Sequence, residues 1–258
     1  MNGYYRLISS MSRGSGGTDP SVQDFITVAS ITDPTQQSAI NQLVLDLKSY
    51  SIWSKMYAIY PMVGGNAASH SYNLIDTSLF QLSFVGGWTH TSTGALPNGT
   101  NALANTGWIQ NNFPASDENS TIGFYSGTSA DGNIDMGVYS SSAYALRSRQ
   151  SNAFGAYNQG TTTYSTVANT DGSGLYSVSR VEPTKIAMYK NGVLVSNPTN
   201  NATATLVLNQ LQLSAYNSGS FGSKEHRLTF IAQGLTDSEN ANLYTAVQAY
   251  QTTLSRNI

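Results

Sequence analysis

The side chains in this sequence that could do chemistry are few. The four glutamates, Glu118, Glu182, Glu225 and Glu239, are widely scattered. A glycoside hydrolase needs two carboxyl groups facing each other across a sugar, one as acid and one as nucleophile or base. No such pair is visible, and the Glu-x-Asp-x-x-Glu strand motif of glucanases is absent. Glu239 reads better as part of a helix cap, and Glu118 falls in a Ser/Asn-rich loop. Cysteine is missing, so disulfides, thiolate metal sites and cysteine nucleophiles are excluded. The histidines, His70, His90 and His226, have no ligand spacing and read as polar surface or turn residues. Asp131-Gly132-Asn133-Ile134-Asp135 places oxygens at alternate positions, as a calcium loop begins. Met136 and Ser142 stand where an EF-hand requires glycine and glutamate, so a turn explains the segment with fewer assumptions. No Gly-x-Ser-x-Gly elbow supports a serine nucleophile. The expectation is a protein without catalytic residues, metal or cofactor.

Binding chemistry is better represented. Sugars dock on aromatic faces, with amides and hydroxyls fixing their orientation. Trp88, His90 and Trp108 lie near Asn98 and Asn101 in a loop-rich stretch and form the candidate ligand site. The competing reading is that both tryptophans belong to the core, as large aromatics usually do. At the N-terminus, Tyr4, Tyr5, Leu7 and Ile8 form a short apolar segment ahead of the flexible Ser12–Thr18 stretch. That pattern suits a docking arm or a disordered terminus.

Composition narrows the class of partner. Only 10% of the 258 residues are charged, against roughly 25% in ordinary domains. The formal net charge is -2, and Arg147 with Arg149 is the nearest approach to a basic cluster, which argues against nucleic acid. No apolar run approaches the ~18 residues of a membrane span. The start, Met1 to Arg6, lacks the pattern of a secretory leader.

The elements that must position these residues fall into zones. Residues 1–30 read as arm and linker, 31–62 as helical, 63–235 as β-rich, and 236–254 as a closing helix. Thr32 or Asp33 can cap the first helix, Pro34 suits its first turn, and Ile40, Leu43, Val44 and Leu47 share one face. Trp53 to Ile59 reads as a further helical turn closed by Pro61. Strands are expected at 79–85, 121–125, 134–139, 144–147, 153–157, 175–181, 185–189, 193–196, 210–216 and 227–232. Asn191-Gly192 supplies the two positive-φ positions of a type I′ hairpin turn. Asp131-Gly132-Asn133 and Asp171-Gly172-Ser173-Gly174 are further turns. Thr236-Asp237-Ser238-Glu239 is a capping box ahead of Leu243, Tyr244, Val247, Tyr250 and Leu254.

Taken in order, several segments resemble one family. They are Leu79–Phe84, Gly86-Gly87-Trp88-Thr89-His90, Pro97–Thr100, Lys185–Val193, and Gly234–Glu239 followed by Leu243–Gln251. The chain from about 31 to 258 resembles the concanavalin A-like (laminin G-like) jelly-roll domains of tailed-phage virion proteins. Asn41–Lys48, Trp53 and Tyr60-Pro61 add to the match. The resemblance implies an all-β, antiparallel two-sheet jelly-roll sandwich with an N-terminal helical segment and a C-terminal helix. It also implies a virion structural protein, such as a capsid decoration, head-fibre or tail-associated subunit. Residues 1–30 would then dock on other virion proteins, and the chain is expected to self-associate. A carbohydrate-binding module for host glycans is the alternative, and a glycoside hydrolase ranks third.

Overall fold

The computed structural model describes residues 17–110, 119–139, 143–158, 164–182, 185–198 and 209–258. Tyr4, Tyr5, Leu7 and Ile8 lie outside these residues. The described chain opens with helix α1 (Pro20–Val28), α2 (Pro34–Ser49) and a 3-10 turn (Trp53–Lys55). Strand β1 (Met56–Tyr60), the short helix α3 (Ala67–Ser71), β2 (Ser83–Val85), β3 (Trp88–His90), β4 (Ala95–Pro97) and β5 (Leu103–Asn105) follow. Then come β6 (Ser120–Ser126), β7 (Met136–Tyr139), β8 (Ala143–Gln150), β9 (Ala153–Asn158), β10 (Ser165–Ala168) and β11 (Gly174–Arg180). The chain ends with β12 (Ala187–Lys190), β13 (Val193–Ser196), β14 (Gln212–Leu213), β15 (His226–Ala232) and α4 (Asp237–Thr253).

The strands form two antiparallel sheets packed as a sandwich. The first runs β13-β12-β11-β6-β15-β4-β3, with β1 also paired to β15. The second runs β10-β9-β8-β7-β14-β5-β2. Alternation along the strands assigns side chains to layers. In β6 and β15, Ile122, Phe124 and Ile231 point between the sheets, where they meet Met136, Val138, Tyr144, Leu146, Phe154 and Leu213. Tyr125, Leu228 and Phe230 point the other way, into a second core shared with α1, α2 and α4. The first sheet is therefore buried on both faces, and β6 and β11 are buried along their whole length.

The caps read from sequence hold. Asp33 accepts from Thr35 N and Gln36 N with Pro34 at the first helical position. Thr236 and Glu239 close a reciprocal capping box. Asn191 (φ 50°) and Gly192 (φ 74°) make the expected hairpin turn between β12 and β13. A Cβ on Gly192 would stand 2.8 Å from that of Tyr244, so the hairpin tip seats directly on α4.

Elsewhere the structure departs from expectation. Within the stretch assigned to arm and linker, Pro20–Val28 forms α1, capped by Asp19, with Val22 and Phe25 buried. Lys48 Nζ meets Asp19 at 2.5 Å and ties the start of α1 to the end of α2. Only Trp53–Lys55 of the expected helical turn is helical. Met56–Tyr60 is a strand, because pairing with β15 satisfies its backbone along four registered positions. The strands expected at 79–85 and 210–216 shrink to Ser83–Val85 and Gln212–Leu213, where Phe80 (φ 54°) and Ser214 (φ 55°) break extension.

Candidate functional site

The structure does not bring Trp108 to the surface beside Trp88 and His90. Trp108 is 1% exposed and belongs to the core between the sheets. Trp88 is half-buried, and its indole N–H donates to Leu103 O at 3.0 Å. Its ring meets Phe84 edge-on at 5.2 Å and lies 6.2 Å from His90. Trp88 stands on the edge strand of the first sheet, while Phe84 and Leu103 belong to the second. The indole thus stitches the two sheets together at one end.

The histidines are not surface residues. His70 and His226 are buried, at 1% and 0% exposure, and His90 is half-buried. His70 Nδ1 lies 2.9 Å from His90 Nδ1, one donating and the other accepting. His226 Nε2 sits 3.0 Å from Ser214 Oγ, and its Nδ1 sits 3.0 Å from Thr229 Oγ1. Burial drives both His70 and His226 down to about 3, reinforced by His90 and Arg256 around His70 and by Lys224 beside His226. Burial also lowers His90. These imidazoles are neutral hydrogen-bonding links inside the fold.

Three of the four glutamates are likewise committed, and Glu118 lies outside the described residues. Glu182 pairs with Lys185, Glu225 with Arg227, and Glu239 with Lys55. Along the calcium-like loop the oxygens turn to separate partners. Asp131 accepts from Ser151 N, Asn133 from Gln150, and Asp135 from Ser148 and Lys224. Among the described residues no three His, Asp or Glu side chains are grouped so as to hold a metal ion.

A different surface has the properties of a binding site. On the second sheet, Val138, Leu146 and Phe154 face the core, so Tyr139, Arg147 and Tyr157 face outward, opposite the helical layer. Tyr139 is 39% exposed. Its ring lies 5.5 Å from Tyr216, which stacks 6.4 Å from Tyr157, which in turn lies 4.7 Å from Tyr164. The Arg147 guanidinium sits 4.3 Å above the Tyr164 ring. Small residues make room for this row of rings. Ala145 and Gly137 occupy the positions cross-strand from Tyr157 and Gln212. Tyr164 lies so flat over Gly155 that any Cβ there would collide with its phenol. Burial raises Tyr164 to about 12 although Arg147 opposes the shift, and it raises Tyr216 with help from Tyr157 and Tyr139. The platform is therefore neutral phenol apart from one guanidinium.

An amide-rich cavity of about 570 Å³ adjoins this row, lined by Gly107, Ile109, Asn209, Gln210, Gln212, Asn217 and Ser218. Asn217 Oδ1 accepts from Tyr139 N at 3.1 Å, and Asn209 Nδ2 donates to Tyr139 O at 2.8 Å. Gln210 Oε1 accepts from Gly107 N. Each of these three amides commits one end to the fold, which fixes its orientation. Rigid aromatic faces beside oriented amides are what a sugar ring needs. Its C–H face packs on phenol, and its hydroxyls exchange hydrogen bonds with amides.

No helix among the described residues is long and apolar enough to cross a membrane. No family model matches the chain, and no curated protein matches it in sequence. Solved structures do match. The binding domain of botulinum neurotoxin serotype D superposes with a TM-score of 0.52 at 13% identity, over 76% of this chain and 52% of that one. The binding domain of botulinum neurotoxin DC, solved in complex with rat synaptotagmin II, gives 0.51 at 12% identity, over 76% and 52%. The chain thus spans about half the length of the toxin domains it matches, and at these identities the likeness is one of fold: a two-sheet β-sandwich.

Proposed function

We propose that this chain is a non-enzymatic glycan-binding sandwich, and that its tyrosine-paved outer face holds the sugar. The observation that carries this reading is the row Tyr139–Tyr216–Tyr157–Tyr164 beside an amide-lined cavity, on the face opposite the helices. Half-buried rings in fixed positions lose little entropy when a ligand lands on them. A binding role on such a sandwich has a counterpart in the matched toxin binding domains, one of them solved in complex with rat synaptotagmin II. The absence of catalysis is part of the proposal and draws support from the ion pairs that neutralise Glu182, Glu225 and Glu239.

The test is a glycan array followed by titration of the best ligand. Tyr157→Ala with Tyr216→Ala is expected to weaken binding roughly 10- to 100-fold, the loss of about 1–3 kcal/mol carried by central aromatic contacts. Trp88→Ala serves as the contrast. Its expected effect is a lower unfolding midpoint, because it removes the stitch between the sheets. Undiminished binding in the double tyrosine variant, or sugar release from the ligand, ends this reading.

We further propose that the sandwich is carried on a phage particle, as the concanavalin A-like resemblance implies, and attached there through Tyr4, Tyr5, Leu7 and Ile8. Particles assembled with a chain lacking residues 1–16 are expected to be free of the protein. Normal incorporation rules out the arm.

A further inference from the structure

We infer that the glycan held on the tyrosine face carries an acidic group, a carboxylate or a sulfate ester, and that Arg147 receives it. This rests on the glycan-binding reading above and names the class of sugar. Most lysines and arginines among the described residues are met by a carboxylate. Lys48, Lys55, Lys185, Lys190, Lys224 and Arg227 each lie within 4.0 Å of a carboxylate. Arg256 is buried among the carbonyls of Pro61, Met62 and Arg227. Arg147 and Arg149 have no carboxylate partner among the described residues, and they stand two positions apart on β8, on the outward side.

Their surroundings assign them different roles. Arg149 is engaged by the fold, donating to Ser129 O at 2.6 Å and to Asn152 Oδ1 at 2.9 Å. Arg147 is stacked on Tyr164 and held within the aromatic row, two ring contacts from Tyr216. Asp135, whose charge is felt at Tyr164, is fully buried and bound to Lys224 at 3.2 Å, so its charge is already met. A guanidinium stacked on a ring keeps its plane fixed, and the edge donors of that plane match two oxygens of one acidic group. A sugar lying on Tyr157 and Tyr216 places a substituent of its own or of its neighbour against Arg147. Among the described residues no carboxylate answers that charge, and a neutral glycan supplies none either.

The experiment compares matched ligands by calorimetric titration of the full chain. Oligogalacturonide is set against its methyl ester, sialyllactose against lactose, and a sulfated against a desulfated oligosaccharide. The expected result is at least a 10-fold preference for the acidic member of one pair, falling as salt rises from 50 to 500 mM. The pair that shows it identifies carboxylate or sulfate. Arg147→Gln is expected to bring the acidic-to-neutral ratio near one, and Arg147→Lys to leave an intermediate ratio. The salt dependence of the native chain is read without any variant, so a folding defect in Arg147→Gln does not shelter the idea. Equal affinity for both members of every pair overturns the inference while leaving the glycan reading intact. An unchanged preference in Arg147→Gln, or equal binding of poly-glutamate, also overturns it. Failure to bind any of the six ligands or any array glycan overturns both.

Discussion

Acidification from pH 7.5 to pH 5 is expected to cost the fold about 4 kcal/mol, well before most carboxylates titrate. His70 and His226 are held neutral in the folded chain, each pushed down to about 3. In the unfolded chain both titrate near 6.5. Between those values the unfolded state binds protons that the native state refuses, so stability falls as pH drops through the unfolded value and continues to fall towards about 3. At pH 5 each buried imidazole contributes a loss of about 2 kcal/mol. Each neighbour that acts on them among the described residues lowers them further. His70 faces His90 and Arg256, and His226 faces Lys224 together with the hydroxyls of Ser214 and Thr229. Urea unfolding at the two pH values measures the effect. His226→Asn and His70→Gln are each expected to be less stable at pH 7.5 but to show a smaller drop on acidification. A drop of native size in both variants would show that some other group drives it.

The fold was legible wherever short-range chemistry decides. Asp33-Pro34, Thr236 with Glu239, and Asn191-Gly192 each fix a boundary through two or three neighbouring residues, and the structure places a cap or turn at all three. Alternation found the long strands β6, β8, β9, β11 and β15. It failed where length or partner decides. β3, β4 and β5 are three residues each, too short for a period of two to register, and exist because β4 pairs with β15 and β3, and β5 with β14 and β2. Met56–Tyr60 has the composition of either element, and only the free edge of β15, some 170 residues later, makes it a strand.

The tyrosine face proposed as the site is hidden in the sequence for a related reason. Trp88, His90 and Trp108 attract notice by residue type, yet tryptophan next to small residues is as good a core filler as a sugar platform, and Trp108 takes that course while Trp88 and His90 stay half-buried. Tyr139, Tyr157 and Tyr216 each stand at the last position of an expected strand. Tyr139 and Tyr157 follow immediately on the core residues Val138 and Ala156, so parity alone places them outside. What sequence could not supply is the lateral register that sets rings from distant strands 4.7 to 6.4 Å apart. Two arginines at the spacing of Arg147 and Arg149 do not make a nucleic-acid stripe. The role proposed for Arg147 draws on its place over the Tyr164 ring, which spacing does not reveal.

Loss of Lys224 is expected to be among the most damaging single changes in the protein. Lys224 and Asp135 are both fully buried, and their charges meet at 3.2 Å. Asp135 also accepts from Ser148 N at 2.6 Å and Ser148 Oγ at 2.8 Å. Asp135 precedes β7 of the second sheet and Lys224 precedes β15 of the first, so the pair crosses the sandwich just beneath the strands that carry the tyrosine row. Lys224→Met leaves a carboxylate without its counter-charge in a site closed to water, a loss of about 3–5 kcal/mol. Asp135→Asn is expected to do comparable harm by stranding the ammonium. The double variant removes both charges and keeps an amide oxygen for Ser148, so it should recover much of the stability lost by either single change. That non-additivity separates an ion pair from simple packing. Urea midpoints of the four proteins measure it, and costs in the double variant equal to the sum of the singles would mean that the two charges do not depend on each other. Because β7 and β8 hold Tyr139 and Arg147, the single variants should also weaken glycan binding, and the double variant should regain it together with the fold.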